Sequence, residues 1–248
     1  MILRQQLAIF FDFWRTCPLL VAALCCLSFL SLMLFSVEGF AHDLSLHDKQ
    51  VLVDAGRTSF VFLGAKHMVT GLDHILFLLG LVFFLSSLRD IVKVITLFTI
   101  GHSLTLVFAT LYEVQINYYL IDALVGLSVL YKGAENLGVF SRLSAATSFR
   151  LQPNLFFMVF LFGLIHGLGL SSRLQELHHL PDFSINSILL FNVGVELGQI
   201  VALFPIVILL RQLRNASAYD GIKTWVNSGL VVAGLFFMIH YLWRYSMA

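Results

Sequence analysis

Six separate stretches of this chain are apolar for long enough to cross a bilayer, and another stands at the N-terminus. About 20 consecutive apolar residues span the hydrocarbon core, and the six run approximately over 60–88, 91–112, 118–139, 154–170, 185–210 and 225–245. The charged residues point the same way: they make up only 12% of the 248 positions, while 59% are hydrophobic. A soluble domain carries about a quarter charged residues, so this chain has too few to coat a water-facing surface. The expected fold class is therefore an all-α, polytopic membrane helix bundle, with six transmembrane helices after an N-terminal signal sequence. Connections are short and no linker marks a second domain. A net charge of +1 provides no basic field for nucleic acid.

Arg4 and Arg15 precede an apolar stretch from Leu19 to Phe35, and small residues at Gly39 and Ala41 suit a signal-peptidase site. The expected division is a signal peptide over 1–41, a short periplasmic segment over 42–59 and a six-span membrane domain over 60–248. An uncleaved signal anchor is the alternative. All three cysteines, Cys17, Cys25 and Cys26, lie in the leader, so a chain beginning at His42 has neither disulfides nor thiolate ligands. With His42 outside, the loops after the first, third and fifth spans hold Arg89, Lys93, Arg142, Arg150, Arg211, Arg214 and Lys223. The opposite loops hold only Arg173. This asymmetry predicts a bacterial inner-membrane protein whose mature N-terminus is periplasmic.

Ionisable groups within spans are costly and therefore functional candidates. The first span carries His67, Asp73 and His74 as H-x5-D-H, the second His102 with Thr99 and Ser103, and the third Asp122. The fourth carries His166, and the fifth carries Asn192, Glu196 and Gln199 at i, i+4 and i+7, on one helical face. Gly194 and Gly198 form a small-xxx-small pair that admits a close neighbour. On a regular helix His67 and His74 stand roughly 10.5 Å apart along the axis and Asp73 points about 100° away from His74. Either the helix breaks, for which Gly71 is placed, or the motif marks two stations on a path.

Neutral imidazole with carboxylate, amide and hydroxyl oxygen suits Ni²⁺, Co²⁺ or Zn²⁺ better than Cu(I), Mg²⁺ or Ca²⁺. Each residue also has a plainer reading. His67, Asp73 and His74 then form a pH-sensitive or structural network near the outer surface, His102 and His166 make interhelical hydrogen bonds, Glu196 pairs with one of those histidines, Asp122 is a wetted span end, and Lys132 with Glu135 is an interfacial ion pair. His240 reads as part of an interfacial belt, and His178 and His179 as a solvated loop. His42, exposed as an N-terminal residue after cleavage, pairs an amine with an imidazole and is a further candidate metal ligand.

Four blocks carry a resemblance. They are Gly71-Leu-Asp-His-Ile-Leu-Phe-Leu-Leu, Phe98-Thr-Ile-Gly-His-Ser-Leu-Thr-Leu, Phe162-Gly-Leu-Ile-His-Gly-Leu-Gly and Phe191-Asn-Val-Gly-Val-Glu-Leu-Gly-Gln. Together and in this order they resemble the HupE/UreJ family of bacterial nickel permeases. The resemblance implies a signal sequence, six mature spans and uptake of nickel, in some members cobalt, towards the cytoplasm. Its metal-associated positions fall on His67, Asp73, His74, His102, His166 and Glu196. Asp122 and Gly126 stand where the family more often has Glu and Ala, and Leu170-Ser171 where Phe-Ala is usual.

The expected function is thus a permease for a divalent transition metal, carried as substrate, with no permanently bound cofactor. No H-E-x-x-H signature supports a zinc hydrolase and no G-x-x-x-x-G-K-[ST] loop supports an ATP-driven pump. The chain is therefore expected not to be an enzyme and not to use ATP. The competing reading is a non-transporting membrane subunit that delivers metal to an accessory protein, with an intramembrane metalloenzyme behind it.

Overall fold

A computed structural model describes residues 59–147, 154–175, 184–214 and 219–248. The leader, His42, Arg150, His178 and His179 lie outside the described residues. Among the described residues the fold is wholly helical: α1 (Ser59–Thr70), α2 (Leu72–Val82), α3 (Leu88–Leu111), α4 (Tyr118–Asn136), α5 (Val139–Thr147), α6 (Leu155–Gln175), α7 (Ile185–Leu213) and α8 (Tyr219–Met247).

The helices α3, α6, α7 and α8 are long and apolar enough to cross a membrane, and α1 with α2, bent by 67° at their break, is apolar enough only as a pair, as a broken span or a re-entrant loop. The sixth expected span, α4, does not stand out in this way because its 19 residues include Asp122, Lys132 and Glu135. It is nonetheless inside the bundle, packed against α8, α6 and α2. Asn117 starts it by accepting a hydrogen bond from the Tyr119 amide at 3.0 Å, which satisfies one of the open donors of a first turn.

Glycines organise the packing. In lipid there is no hydrophobic drive between helices, so association depends on close van der Waals approach at small residues. The most extensive contacts are three helix pairs: α1 with α7, α3 with α6, and α4 with α8. Each is zipped where a side chain would collide with the partner's backbone: Gly64 and Gly194 in the first, Gly101, Gly163 and Gly167 in the second, Gly126, Gly133 and Gly234 in the third. The Gly194/Gly198 pair seen in the sequence is one strand of the first zipper, facing Val61 and Ala65.

The half-span α2 joins these pairs, touching α1, α4, α7 and α8. Its far end is held by Arg214, which donates to the Phe83 and Leu85 carbonyls at 2.8 Å each. These are carbonyls of the kind a helix C-terminus leaves open. We call this the basic end of the bundle, since Arg89, Lys93, Arg211, Arg214 and Lys223 gather at helix termini there. Lys132 is buried against the bundle, 7% exposed, one turn before the end of its helix, and pairs with Glu135 as the spacing predicts.

Candidate metal centre

The break falls at Gly71, whose amide closes α1 on the His67 carbonyl and whose own carbonyl opens α2 on the Ile75 amide, both at 3.0 Å. Its backbone angles (φ −71°, ψ 101°) suit any residue, so conformational freedom is not why glycine sits here. Space is: a Cβ would lie 2.8 Å from His74 Nδ1 and 3.2 Å from Asp73 Oδ1. Gly71→Ala should therefore displace the His74 ring without removing any ligand. The expected outcome is a folded, membrane-inserted protein with weakened metal binding, measured by competition against a chelator; unchanged affinity would show that the ring's position does not matter.

The bend brings together what a straight helix holds apart. His67 and His74 meet edge to face with ring centres 4.9 Å apart, and His166 on α6 approaches His74 from the other side at 5.0 Å. Two imidazoles on one tetrahedral ion have ring centres roughly 5 Å apart, given metal–nitrogen bonds of about 2.0–2.1 Å. Asp73, at 4% exposure, no longer points away from His74: its Oδ1 accepts from both the backbone amide and Nδ1 of that residue at 2.9 Å.

These partners fix the ring tautomers. A carboxylate accepts and does not donate, so Nδ1 of His74 carries its hydrogen and Nε2 the lone pair. His166 is arranged alike, its Nδ1 bonded to the Phe162 carbonyl at 2.8 Å and its buried Nε2 without a hydrogen-bond partner. Donation from the far nitrogen to a carboxylate or carbonyl is how metal-binding histidines are commonly oriented. Asp73 thus acts on the ring beside it rather than as an obvious ligand.

His67, Asp73, His74, His166 and Asp122 line a cavity of about 10 Å³, closed by Val125, Gly169 and Leu170. That is room for about one water molecule. Asp122, by sequence either a candidate or a wetted span end, is 4% exposed in the cavity wall. Among the described residues, no three His, Cys, Asp or Glu side chains converge on one point as a finished metal site. The cage has the donor types and ring spacing of a site, but its nitrogens do not share a common centre.

The other candidates fall elsewhere. His102, 1% exposed, is within electrostatic reach of His74 but not on the cavity wall. It backs the seam between α3 and α7, where Thr99 donates to Gln199 Oε1 at 2.8 Å and Ser103 to Asn192 Oδ1 at 3.1 Å. The His102 ring lies against the Asn192 amide, and Gln199 Nε2 is buried there without a hydrogen bond. Glu196 is exposed and, with Thr99, Ser103 and Gln199, lines an open groove of about 870 Å³ along this seam, away from the cage. His240 stacks on Phe236 with ring centres 6.0 Å apart and takes no part.

Sequence reading missed three residues beside the cage, Phe77, Phe98 and Phe162. Their signal was present: each lies one turn from a candidate histidine, at His74+3, His102−4 and His166−4.

Fold and site together define a multi-pass helical membrane protein with a buried imidazole–carboxylate cage at the break between α1 and α2. The family model described as HupE / UreJ protein matches residues 44–247. The chain belongs to that family, which is of transporter type rather than enzymatic. No protein of curated function and no solved structure matches the chain.

Proposed function

We propose that this protein is an inner-membrane permease that passes a divalent transition-metal ion, Ni²⁺ first and Co²⁺ next, towards the cytoplasm. The observation that carries the reading is the bend at Gly71, which sets His67 and His74 at 4.9 Å and admits His166 at 5.0 Å. In this proposal six spans cross the membrane, α1 with α2 counting as one and α4 as another, and the segment before His42 is a cleaved leader. The basic end faces the cytoplasm, as the positive-inside rule requires. Discontinuous helices near mid-membrane are the usual seat of a transported ion.

His67, His74 and His166 supply nitrogen, Asp122 supplies oxygen, and Asp73 orients His74. His102 is the neighbouring station. Asn192 and Gln199 tie the α3/α7 seam, and Glu196, facing the groove, stays outside the ligand set. Since imidazole binds metal only when neutral, protons compete with the ion for the cage.

A cavity this small also suits a subunit that holds metal for delivery to another protein without transporting it. Purified protein in liposomes loaded with a metal-sensing dye separates the two. Entry of Ni²⁺ or Co²⁺ supports a permease. Tight metal binding without entry supports the delivery subunit, and neither binding nor entry of Ni²⁺, Co²⁺ or Zn²⁺ removes the metal reading altogether.

A further inference from the structure

The histidines stand directly on a layer of phenyl rings. α2 runs towards the basic end, so Phe77 lies one turn beyond His74 in that direction. α3 and α6 both start at the basic end and run parallel, with Gly163 against Phe98 and Gly167 against His102. Phe98 and Phe162 therefore lie one turn nearer the basic end than His102 and His166. Phe77 bridges the other two rings, to Phe98 at 5.3 Å and to Phe162 at 5.6 Å. Two of them also abut the cage, Phe77 and Phe98 lying 5.2 and 5.1 Å from His166. Phe77 and Phe98 are wholly buried and Phe162 is 6% exposed.

Beyond the phenyl layer, polar groups resume. Tyr131 touches Phe162 with ring centres 5.5 Å apart, and its buried hydroxyl has no hydrogen-bond partner. Next come the Lys132–Glu135 pair and Asn136, whose amide donates to the Gly80 carbonyl and to Asn227 Oδ1 at 2.8 Å each. From the cage to the basic end the order is imidazole, phenyl, polar. A dry layer about one helical turn thick, some 5.4 Å, offers an ion neither ligands nor water, and such constrictions close pores by dewetting.

The geometry points to Phe77, Phe98 and Phe162 as the inner gate of the metal path, a phenyl septum that seals the cage from the basic end and parts only when α2 shifts. The inference rests on the permease reading for its purpose, but the barrier itself is testable without any transport. Phe77 is the member on α2, the half-span that follows the break at Gly71, whose far end is held by Arg214 and by the Asn136 amide on the Gly80 carbonyl.

The test uses full-length protein with Cys17, Cys25 and Cys26 changed to serine and Val125→Cys introduced as a reporter on the cavity wall. Ag⁺ is applied to membrane vesicles of either orientation. Protected thiol is then read by fluorescent maleimide after denaturation. With Phe77 in place, Ag⁺ arriving from the basic end should reach the reporter on the order of tenfold more slowly than in Phe77→Ala, and Phe77→Leu should stay slow. Phe98→Ala opens the same layer from a different helix and serves if Phe77→Ala is poorly folded. Equal rates in the wild-type background and in whichever alanine variants fold would overturn the septum. Liposome flux is read in parallel. A rate contrast with no metal flux by wild type sinks the permease and keeps the barrier; flux without a contrast sinks the septum alone.

Discussion

Metal uptake by cells expressing the His74→Ala variant should fall to the background of cells lacking the protein, with the variant present in the membrane at the wild-type level. His74 is the ring that both other cage histidines touch, at 4.9 and 5.0 Å. Loss of a residue that merely orients a ligand typically costs 10–100-fold in metal affinity, so loss of the central ligand should exceed about 100-fold. Asp73→Ala, which removes only the carboxylate bonded to His74 Nδ1, should fall within that lower range. The ordering matters as much as the sizes. Were Asp73→Ala the more damaging of the two, the carboxylate would be a ligand in its own right and its orienting role would be wrong. Uptake surviving in His74→Ala would take the path elsewhere, with the Glu196 groove next to be tested.

Gly194→Leu should be the most damaging substitution away from the cage. A Cβ there runs into the Val61 carbonyl oxygen, and that atom is backbone in the partner helix, unable to rotate aside. Overpacking a well-filled interior costs about 1–3 kcal/mol, and a collision with backbone across the α1/α7 zipper belongs at or above the top of that range. Gly229 is the internal control, since nothing lies within 4 Å of a Cβ built on it. Gly229→Ala should be neutral or stabilise α8 by up to about 1 kcal/mol, as expected for glycine in a helix interior. Thermal denaturation in detergent, followed by size-exclusion profile, reads both. Comparable stability of the two variants would show that the α1/α7 contact does not depend on close approach.

The parts of this architecture set by composition were legible in the sequence, and so were those set by spacing along one helix. Apolar runs located α3, α6, α7 and α8, and the Gly194/Gly198 spacing located one zipper. The break at Gly71 was visible only as an alternative, because glycine permits a break without demanding one; contacts of α1 with α7 and of α2 with α4 decide it. Asp122 stood between a site residue and a wetted span end, because sequence position says nothing of which neighbour covers it; α6 does, at Gly169. Glu196 shows the same limit from the other side. It shares a helical face with Asn192 and Gln199 by number, yet that face straddles the α3/α7 seam, and the outer member is left in the groove. The phenyl layer escaped notice because phenylalanine is unremarkable in an apolar span until three of the chain's 24 are seen to fall in one layer.

The cage draws on every part of the bundle. His67 comes from the α1/α7 pair, His166 from α3/α6, Asp122 from α4/α8, and His74 from the half-span among them. An ion held there would be a keystone, resting at once on three pairs whose contacts are more extensive within each pair than between them. Coupling of this kind is reciprocal. Whatever pries the pairs apart loosens the ion, and the ion resists that prying with the same free energy. Release of cargo and relaxation of the bundle are then one event seen from two sides.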